Sequence, residues 1–117
     1  MSNIETVKKY YGAFDRHDLQ SVEAMLHEGF RFTGPLMQAS GRQDFLDKMR
    51  TFDCAFKTRP LHIVESGNTV GVLLECSFTK PFSATIRMSE WFAVENGKIV
   101  SSDVVYDTRQ MPMAAAA

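Results

Sequence analysis

A carboxylate within an apolar stretch is the feature of this sequence that most directly suggests chemistry. Between Ala84 and Val94 apolar and polar residues alternate, which places Glu90 on the same face of a strand as Met88 and Phe92. A buried carboxylate is costly unless it is paired, hydrogen-bonded or protonated. Glu90 is therefore a candidate acid or base in a pocket, and the alternatives are a surface position or an ion pair with Arg87.

Tyr10 is the second candidate, because it lies on the apolar face of a predicted N-terminal helix. A tyrosine in that position is either a core residue whose hydroxyl finds some partner or a hydroxyl directed into a ligand pocket. A carboxylic acid with a raised pKa beside a phenol can exchange a proton with a carbonyl or epoxide oxygen. We therefore take Tyr10 and Glu90 as the candidate catalytic residues.

Other titratable residues do not form a recognisable site. His17, His27 and His62 are far apart and lack paired ligand spacing, so we expect no metal. The sequence has no nucleophile elbow, glycine-rich phosphate loop or CxxC pair, and we expect no cofactor. Asp103 and Asp107 in the last predicted strand are expected at the surface or at an edge.

Length and composition indicate one globular domain. The chain has 117 residues, 44% of them apolar, and we assign residues 1–110 to a single domain and 111–117 to a flexible tail. A net charge of −1 gives no electrostatic reason for binding nucleic acid or a membrane. No signal peptide is recognisable, which favours a cytoplasmic location with Cys54 and Cys76 as free thiols.

The first half of the chain predicts helices. A capping box at Ser2 begins a helix that runs to about Arg16, and Asp18 caps a second helix that Gly29 ends. A short strand at 30–33 and an irregular segment at 36–39 precede a third helix from Ser40. The predicted buried face of the third helix consists of Phe45, Met49, Phe52 and Phe56, and Cys54 lies near its end.

From Pro60 the apolar period changes to two, which predicts strands joined by short turns. Short turns make consecutive strands antiparallel neighbours. In the last strand we expect Val100, Val104 and Tyr106 to face the core, and we call these three residues the inward set. Helices followed by a curved antiparallel sheet form an α+β fold. The predicted strands are Leu61–Glu65, Thr69–Thr79, Thr85–Glu95 and Lys98–Tyr106.

Three motifs carry a family resemblance: VKKYYGAFDRHDLQSVEAML, the short strand ending in Gly34-Pro35, and WFAVENGKIVSSDVVYDTR. The region from Ile4 to about Arg109 resembles the SnoaL-like branch of the nuclear transport factor 2 superfamily. That group includes ketosteroid isomerases, polyketide cyclases, limonene-epoxide hydrolases and many proteins of unknown role. The resemblance implies three helices packed on a strongly curved, cone-shaped sheet around a pocket, and dimers formed through the outer sheet face.

Residue by residue, the resemblance to ketosteroid isomerases is incomplete. Tyr10 matches the oxyanion-binding tyrosine, and Glu90 matches the oxyanion-hole acid if the hairpin differs by one residue in length. Gly34 occupies the position of the general base, and glycine has no group that accepts a proton. The isomerase mechanism therefore does not carry over. The late-strand aspartate of limonene-epoxide hydrolases aligns with Val104, so that mechanism does not carry over either.

The resulting hypothesis is an apolar pocket for a small organic molecule, with cofactor-independent acid–base chemistry of isomerase, lyase or hydrolase type. The alternative is a non-catalytic ligand-binding or dimeric interaction module. We expect a homodimer through Trp91, Leu73 and Arg87, and the alternative is that Trp91 is a scattered surface hydrophobe. The predicted ligand-lining residues are Phe14, Phe32, Met49, Phe52, Met88, Val104 and Tyr106.

Overall fold

The computed structural model describes residues 2–111 and has an α+β architecture, which confirms the predicted fold class. Helices cover one face of a six-stranded sheet whose order is β2-β1-β6-β5-β4-β3. The β1–β6 pair is parallel and the other neighbouring pairs are antiparallel. The sheet is curved but open, rather than closed into a barrel. The elements are α1 (Asn3–Asp15), α2 (Leu19–Met25), β1 (Leu26–Thr33), β2 (Gln38–Ser40), α3 (Arg42–Arg50), β3 (Ala55–Ser66), β4 (Thr69–Lys80), β5 (Ala84–Glu95), β6 (Lys98–Val105) and a 3₁₀ turn (Thr108–Gln110).

Local signals set both ends of α1. Ser2 and Glu5 form the predicted capping box, in which the Ser2 hydroxyl accepts a hydrogen bond from the Glu5 backbone N–H. At the other end, His17 N–H donates to the Phe14 carbonyl and Asp18 N–H donates to the Ala13 carbonyl. These two bonds form a Schellman motif, which ends the helix before α2 begins.

Several predicted boundaries in the first half are wrong, because strand pairing outweighs local pattern. The second helix ends at Met25 rather than Gly29, and β1 begins at Leu26, which is fully buried and pairs with Ile99 of β6. The segment predicted as irregular contains β2, which pairs with β1. The third helix begins after Gly41, whose φ of 101° an L-residue rarely adopts, rather than at Ser40.

The end of the third helix and the start of the next strand are also corrected. The helix stops at Arg50, so Phe52 lies after it, and Phe56 belongs to β3. The predicted strand from Leu61 is six residues too short at its start, because β3 begins at Ala55 and continues through Pro60. Proline fits there because β3 is the edge strand and the β3–β4 register shifts between Pro60 and His62.

The remaining strands lie close to their predicted bounds, with one correction of facing. The β5–β6 register shifts between Ala93 and Val94, which leaves Val100 as an extra residue in β6. Ile99 therefore points inward and is fully buried, whereas Val100 is only half-buried and does not belong to the inward set. Of the predicted tail, Met111 is buried, and residues 112–117 lie outside the described residues.

Candidate functional site

A cavity of about 470 Å³ lies between the helices and the inner face of the sheet. This volume is within the range of small-molecule sites in proteins. Its wall is mostly aromatic and aliphatic, and Tyr10, Tyr11, Thr58, Glu90 and Tyr106 contribute its hydroxyl and carboxyl groups. The apolar lining consists of Phe14, Phe32, Gly34, Leu36, Met37, Phe45, Met49, Phe52, Phe56, Leu74, Cys76, Phe78, Met88, Val104 and Met111.

Glu90 is the carboxylate of this cavity, and the alternation of β5 places it there. Ile86, Met88, Phe92 and Val94 are buried with it, and Glu90 itself is only 7% exposed. Arg87 lies on the opposite face of β5 and is exposed, so the suggested Glu90–Arg87 ion pair does not form. The inward facing predicted from the sequence is therefore confirmed.

Two hydroxyl groups hold the Glu90 carboxyl. Oε1 accepts a hydrogen bond from the Tyr11 hydroxyl at 2.8 Å, and Oε2 lies 2.5 Å from Ser102 Oγ. Burial raises the pKa of Glu90, while the hydrogen bonds from Ser102 and Tyr11 act in the opposite direction. The raised pKa favours the neutral acid. In that form one of the two hydrogen bonds reverses, because the carboxyl then donates its own proton.

The phenol next to Glu90 is that of Tyr11, and Tyr10 lies beside it. Tyr10 is 3% exposed and packs edge-to-face against Tyr11, Phe14 and Phe92, with ring centroids 4.9–5.9 Å apart. Within residues 2–111 the Tyr10 hydroxyl makes no hydrogen bond. In the same range, every side-chain nitrogen or oxygen that is fully sealed from solvent has a hydrogen-bond partner. The hydroxyl is therefore not sealed in the core and opens on the cavity that Tyr10 lines.

The neighbouring titratable groups are neutral at physiological pH. Burial, and then the charge of Glu90, raise the pKa of the Tyr11 hydroxyl far above its ordinary value of 10.0. The same causes raise the pKa of Tyr10. Burial, followed by Glu90, raises the pKa of the Cys76 thiol to about 12. Glu90 is thus the group whose protonation can change at moderate pH within this part of the cavity.

All nine residues predicted for the site line this one cavity: Tyr10, Glu90, Phe14, Phe32, Met49, Phe52, Met88, Val104 and Tyr106. Their roles in binding or catalysis remain predictions. Sequence reasoning missed the two hydroxyls that contact the carboxyl, those of Tyr11 and Ser102. Ser102 lies two residues before Val104 and therefore faces the same side of β6. This spacing was the signal in the sequence that could have placed Ser102 in the site.

The outer face of the sheet carries an apolar patch formed by Val64, Gly71, Leu73, Trp91 and Val105. Trp91 is 48% exposed, and its ring lies over Gly71, where an added Cβ would be 2.5 Å from Trp91 Cζ3. Val64 and Val105 are 59% and 58% exposed. We call these five residues the outer patch.

The structure also shows where the remaining residues named in the sequence analysis lie. Asp103 and Asp107 are exposed, as predicted. Within residues 2–111 no group of three or more histidine, cysteine, aspartate or glutamate side chains is arranged to hold a metal ion. In the same part of the chain no helix has the length and apolar character needed to cross a membrane. Cys54 lies in the segment between α3 and β3 rather than in a helix, and Cys76 is buried in β4.

The comparisons with known proteins agree with this architecture. The family model of the SnoaL-like domain matches residues 7–102. The chain belongs to the SnoaL-like domain family. The sequence has no match among curated proteins.

Solved structures with the NTF2-like fold are similar to this SnoaL-like protein over nearly its whole length. An NTF2-like protein of unknown function from Burkholderia pseudomallei is 28% identical, with a TM-score of 0.86 and coverage of 100% of both chains. One from Cytophaga hutchinsonii is 24% identical, with a TM-score of 0.83 and coverage of 97% and 96%. An LEH-like epoxide hydrolase from M. tuberculosis is 17% identical, with a TM-score of 0.85 and coverage of 95% and 86%, and shares the fold.

Gly34 lies in the cavity wall, at the position that the sequence resemblance matches to the general base of ketosteroid isomerases. Gly34 is buried and lines the cavity, but it provides no side chain. A Cβ added there would lie 3.1 Å from Val104 Cγ1 and 3.2 Å from both the Met37 carbonyl oxygen and Phe32 Cε2. The surrounding space is therefore tight, and an aspartate would need its neighbours to move. Among the described residues that line the cavity, Glu90 is the one carboxylic acid.

Removing either hydroxyl that contacts Glu90 should raise the pKa of its carboxyl further. Both Tyr11→Phe and Ser102→Ala delete a hydrogen bond that favours the ionised form. Carbon-13 NMR of the Glu90 carboxyl as a function of pH measures the effect. Tyr10→Phe is the matched control, because its hydroxyl makes no hydrogen bond to Glu90. An unchanged pKa in both Tyr11→Phe and Ser102→Ala would contradict the hydrogen-bond geometry.

Proposed function

We propose that this SnoaL-like protein binds a small organic molecule whose buried part is flat, largely apolar and uncharged, with one hydrogen-bond acceptor. The cavity supports this in size and composition, because several aromatic rings and methionine side chains form its wall. Among the described residues that line it there is no lysine, arginine or histidine. An anionic group inside it would lose its hydration without gaining a counter-ion, which is strongly unfavourable, and the raised pKa of Glu90 favours the neutral acid, which gives a cation no counter-ion either.

The observation that carries this proposal is the Tyr10 hydroxyl. A hydroxyl that faces a cavity is available to a ligand, and a hydrogen bond to it contributes roughly 0.5–1.5 kcal/mol to binding. Tyr10 has no partner among the described residues and opens on the cavity. A ligand carbonyl or ether oxygen would accept this hydrogen bond. The Tyr11 hydroxyl donates to Glu90, and its remaining lone pair can accept from a ligand.

Proton transfer to the bound molecule is the second function that a specific observation favours. Glu90 is a buried carboxyl with a raised pKa, which is the property of many catalytic acids. When Glu90 is protonated, its hydrogen bond with Tyr11 can reverse, so that the carboxyl donates to the Tyr11 oxygen and the Tyr11 O–H donates to a ligand oxygen. Tyr11 can then pass its proton to the ligand while Glu90 replaces it, which leaves the phenol neutral and Glu90 as the carboxylate. Because Gly34 provides no second base, Glu90 would act alone in cofactor-independent chemistry of isomerase, lyase or hydrolase type. Without such a step the protein is a ligand-binding module.

Binding of a neutral fluorescent ketone tests the proposed function. Prodan is a flat naphthalene ketone whose emission shifts with polarity and hydrogen bonding. Wild-type protein should bind it, and Tyr10→Phe should weaken binding roughly two- to tenfold, because one hydrogen bond is lost. The emission of the bound ketone should also shift to shorter wavelength in this variant. Fluorescence titration measures both effects.

Ser77→Ala is the control, because it removes a hydroxyl that contacts Thr85 and does not line the cavity. Its affinity for prodan should stay within twofold of the wild type. If wild-type protein binds neither prodan nor another neutral aromatic probe, the binding function is wrong. If Tyr10→Phe binds prodan as tightly as the wild type, the assignment of Tyr10 as the hydrogen-bond donor is wrong.

A homodimer through the outer patch completes the proposed function. Trp91 and the two exposed valines form an apolar centre, and charged residues lie around it. Glu75 pairs with Arg59, which leaves Arg87 without an ion-pair partner in residues 2–111. Asp103 lies opposite Trp91 on β6 and is also unpaired in that range. A two-fold axis near Ser89 would bring Arg87 of one copy towards Asp103 of the other.

A further inference from the structure

A second cavity, of about 220 Å³, lies beside the main one. Four apolar side chains line both cavities, so the two spaces are adjacent and share a wall. These shared residues are Phe14, Met49, Phe52 and Phe56. Phe52 and Phe56 are only half-buried, and Phe52 follows the end of α3 rather than lying within a helix or strand. A molecule that occupied both cavities would therefore contact these four side chains.

The two cavities differ in charge. The smaller cavity is lined by His17 and Arg50, and by no aspartate or glutamate, whereas the main cavity has no basic lining residue. Two carboxylates are nearby. Asp47 pairs with Arg50 at 2.9 Å, with side chains 62% and 50% exposed, and such an exposed pair is weak enough for another anion to replace. Asp53 is exposed. The pKa of the Cys54 thiol is raised mainly by burial and also by the negative charge of Asp53.

The backbone at His17 is a second, independent indication. His17 has a φ of 58° and occupies the left-handed position that follows α1, where glycine is strongly preferred. The Schellman hydrogen bonds at His17 and Asp18 use backbone groups only, so glycine would make them with less strain. These bonds end α1 without the imidazole, which remains available to the smaller cavity. Strained positions of this kind cluster at functional sites, and the His17 side chain lines the smaller cavity.

We infer that the smaller cavity is a second compartment of the binding site, in which His17 and Arg50 hold an anionic group of the ligand. The ligand is then an organic acid, with its uncharged apolar body in the main cavity and a carboxylate or similar anion between His17 and Arg50. This inference rests on the proposed function, because the body must bind in the main cavity for the anion to reach the smaller one. Imidazole and guanidinium N–H groups suit an anion, and Arg50 can bind it with two parallel hydrogen bonds.

A pair of probes separates the two compartments. N-phenyl-1-naphthylamine is neutral, and 8-anilinonaphthalene-1-sulfonate has the same ring system with one sulfonate added. Both fluoresce on entering an apolar site, so titration gives an affinity for each. Wild-type protein should bind the sulfonate more tightly than the neutral amine. Arg50→Gln and His17→Gly should each weaken sulfonate binding, and the double variant should weaken it at least about tenfold.

Binding of the neutral amine should change less than twofold in all of these variants. Arg16→Gln is the matched control, because it removes a positive charge next to His17 from a side chain that lines neither cavity. It should leave both affinities unchanged. His17→Gly should also raise the melting temperature by roughly 3 °C, since it relieves a left-handed backbone conformation. Weaker sulfonate binding in a more stable variant excludes misfolding as the cause.

The outcomes distinguish this inference from the proposed function. The inference of an anion site in the smaller cavity is wrong if the neutral amine binds as tightly as the sulfonate, or if the double variant binds the sulfonate as tightly as the wild type. In either case the proposed binding of a neutral molecule in the main cavity is unaffected. If neither probe binds the wild type, both proposals are overturned. Should His17→Gly lower the melting temperature instead, Arg50→Gln alone decides whether the compartment binds the anion.

Discussion

At neutral pH the Glu90→Gln variant should be more stable than the wild type, and the difference should disappear in acid. Burial raises the pKa of Glu90 above its ordinary value of 4.5. Below that value both folded and unfolded chains hold the proton, and ionisation of the carboxyl does not change the free energy of unfolding. As the pH rises above 4.5 the unfolded chain releases its proton while the folded chain keeps it, so wild-type stability falls. The loss stops once the pH passes the pKa of the folded state.

Glutamine removes this titration and keeps the shape of the carboxyl. Its amide oxygen can accept from Tyr11, and its amide N–H can donate to Ser102 Oγ, so both hydrogen-bonded contacts can be kept. For every tenfold increase in the proton affinity of Glu90 on folding, the free energy of unfolding of the wild type falls by about 1.4 kcal/mol at neutral pH. Urea unfolding of both proteins from pH 3 to pH 8 measures the difference. The same variant should lose any acid–base turnover but still bind prodan, because Tyr10 is unchanged.

Glu5→Gln is a control with the opposite sign. Hydrogen bonds from Ser2 lower the pKa of Glu5, so its carboxylate stabilises the folded chain above the ordinary value and loses that effect as the pH falls through the folded pKa. Glu5→Gln should therefore be less stable than the wild type at neutral pH. A Glu90→Gln variant that follows the same trend would mean that the Glu90 carboxylate is stabilised by its surroundings, and the proposed role of a neutral acid would be lost.

The sequence predicted the position of Glu90 because strand periodicity is strict. A period of two leaves one choice of face, and the run Ile86, Met88, Phe92, Val94 made that choice unambiguous. Tyr11 could not be chosen over Tyr10 in the same way. Neighbouring residues in a helix point about 100° apart, and α1 is buried on both of those sides, so both tyrosines reach the cavity.

Other differences arise from contacts between distant segments. Ser102 was overlooked because serine in a strand is ordinarily a surface residue, and only its distance to Glu90 reveals its role. The extra residue Val100 moves the facing of β6, and a bulge of this kind has no reliable sequence signal. The early start of β3 depends on its pairing with β4, which continues past Pro60 at the sheet edge with a shift of register.

The Trp91→Glu variant should be a monomer at concentrations where the wild type is a dimer. Trp91 lies at the centre of the outer patch, and central tryptophans of interfaces often contribute 2 kcal/mol or more to binding. A two-fold interface contains each substitution twice, so we expect the dimerisation constant to fall more than about 100-fold. Sedimentation velocity over a range of concentrations measures the change directly.

Tryptophan fluorescence provides a second measurement, because Trp91 is the single tryptophan of the chain. Its side chain is 48% exposed in the monomer, so dilution of a wild-type dimer should shift its emission to longer wavelength. Gln20→Glu is the control, since it adds the same charge at an exposed position of α2, away from the outer patch. It should remain a dimer. A wild type that sediments as a monomer, or a Trp91→Glu variant that sediments as a dimer, would show that the outer patch is not the interface.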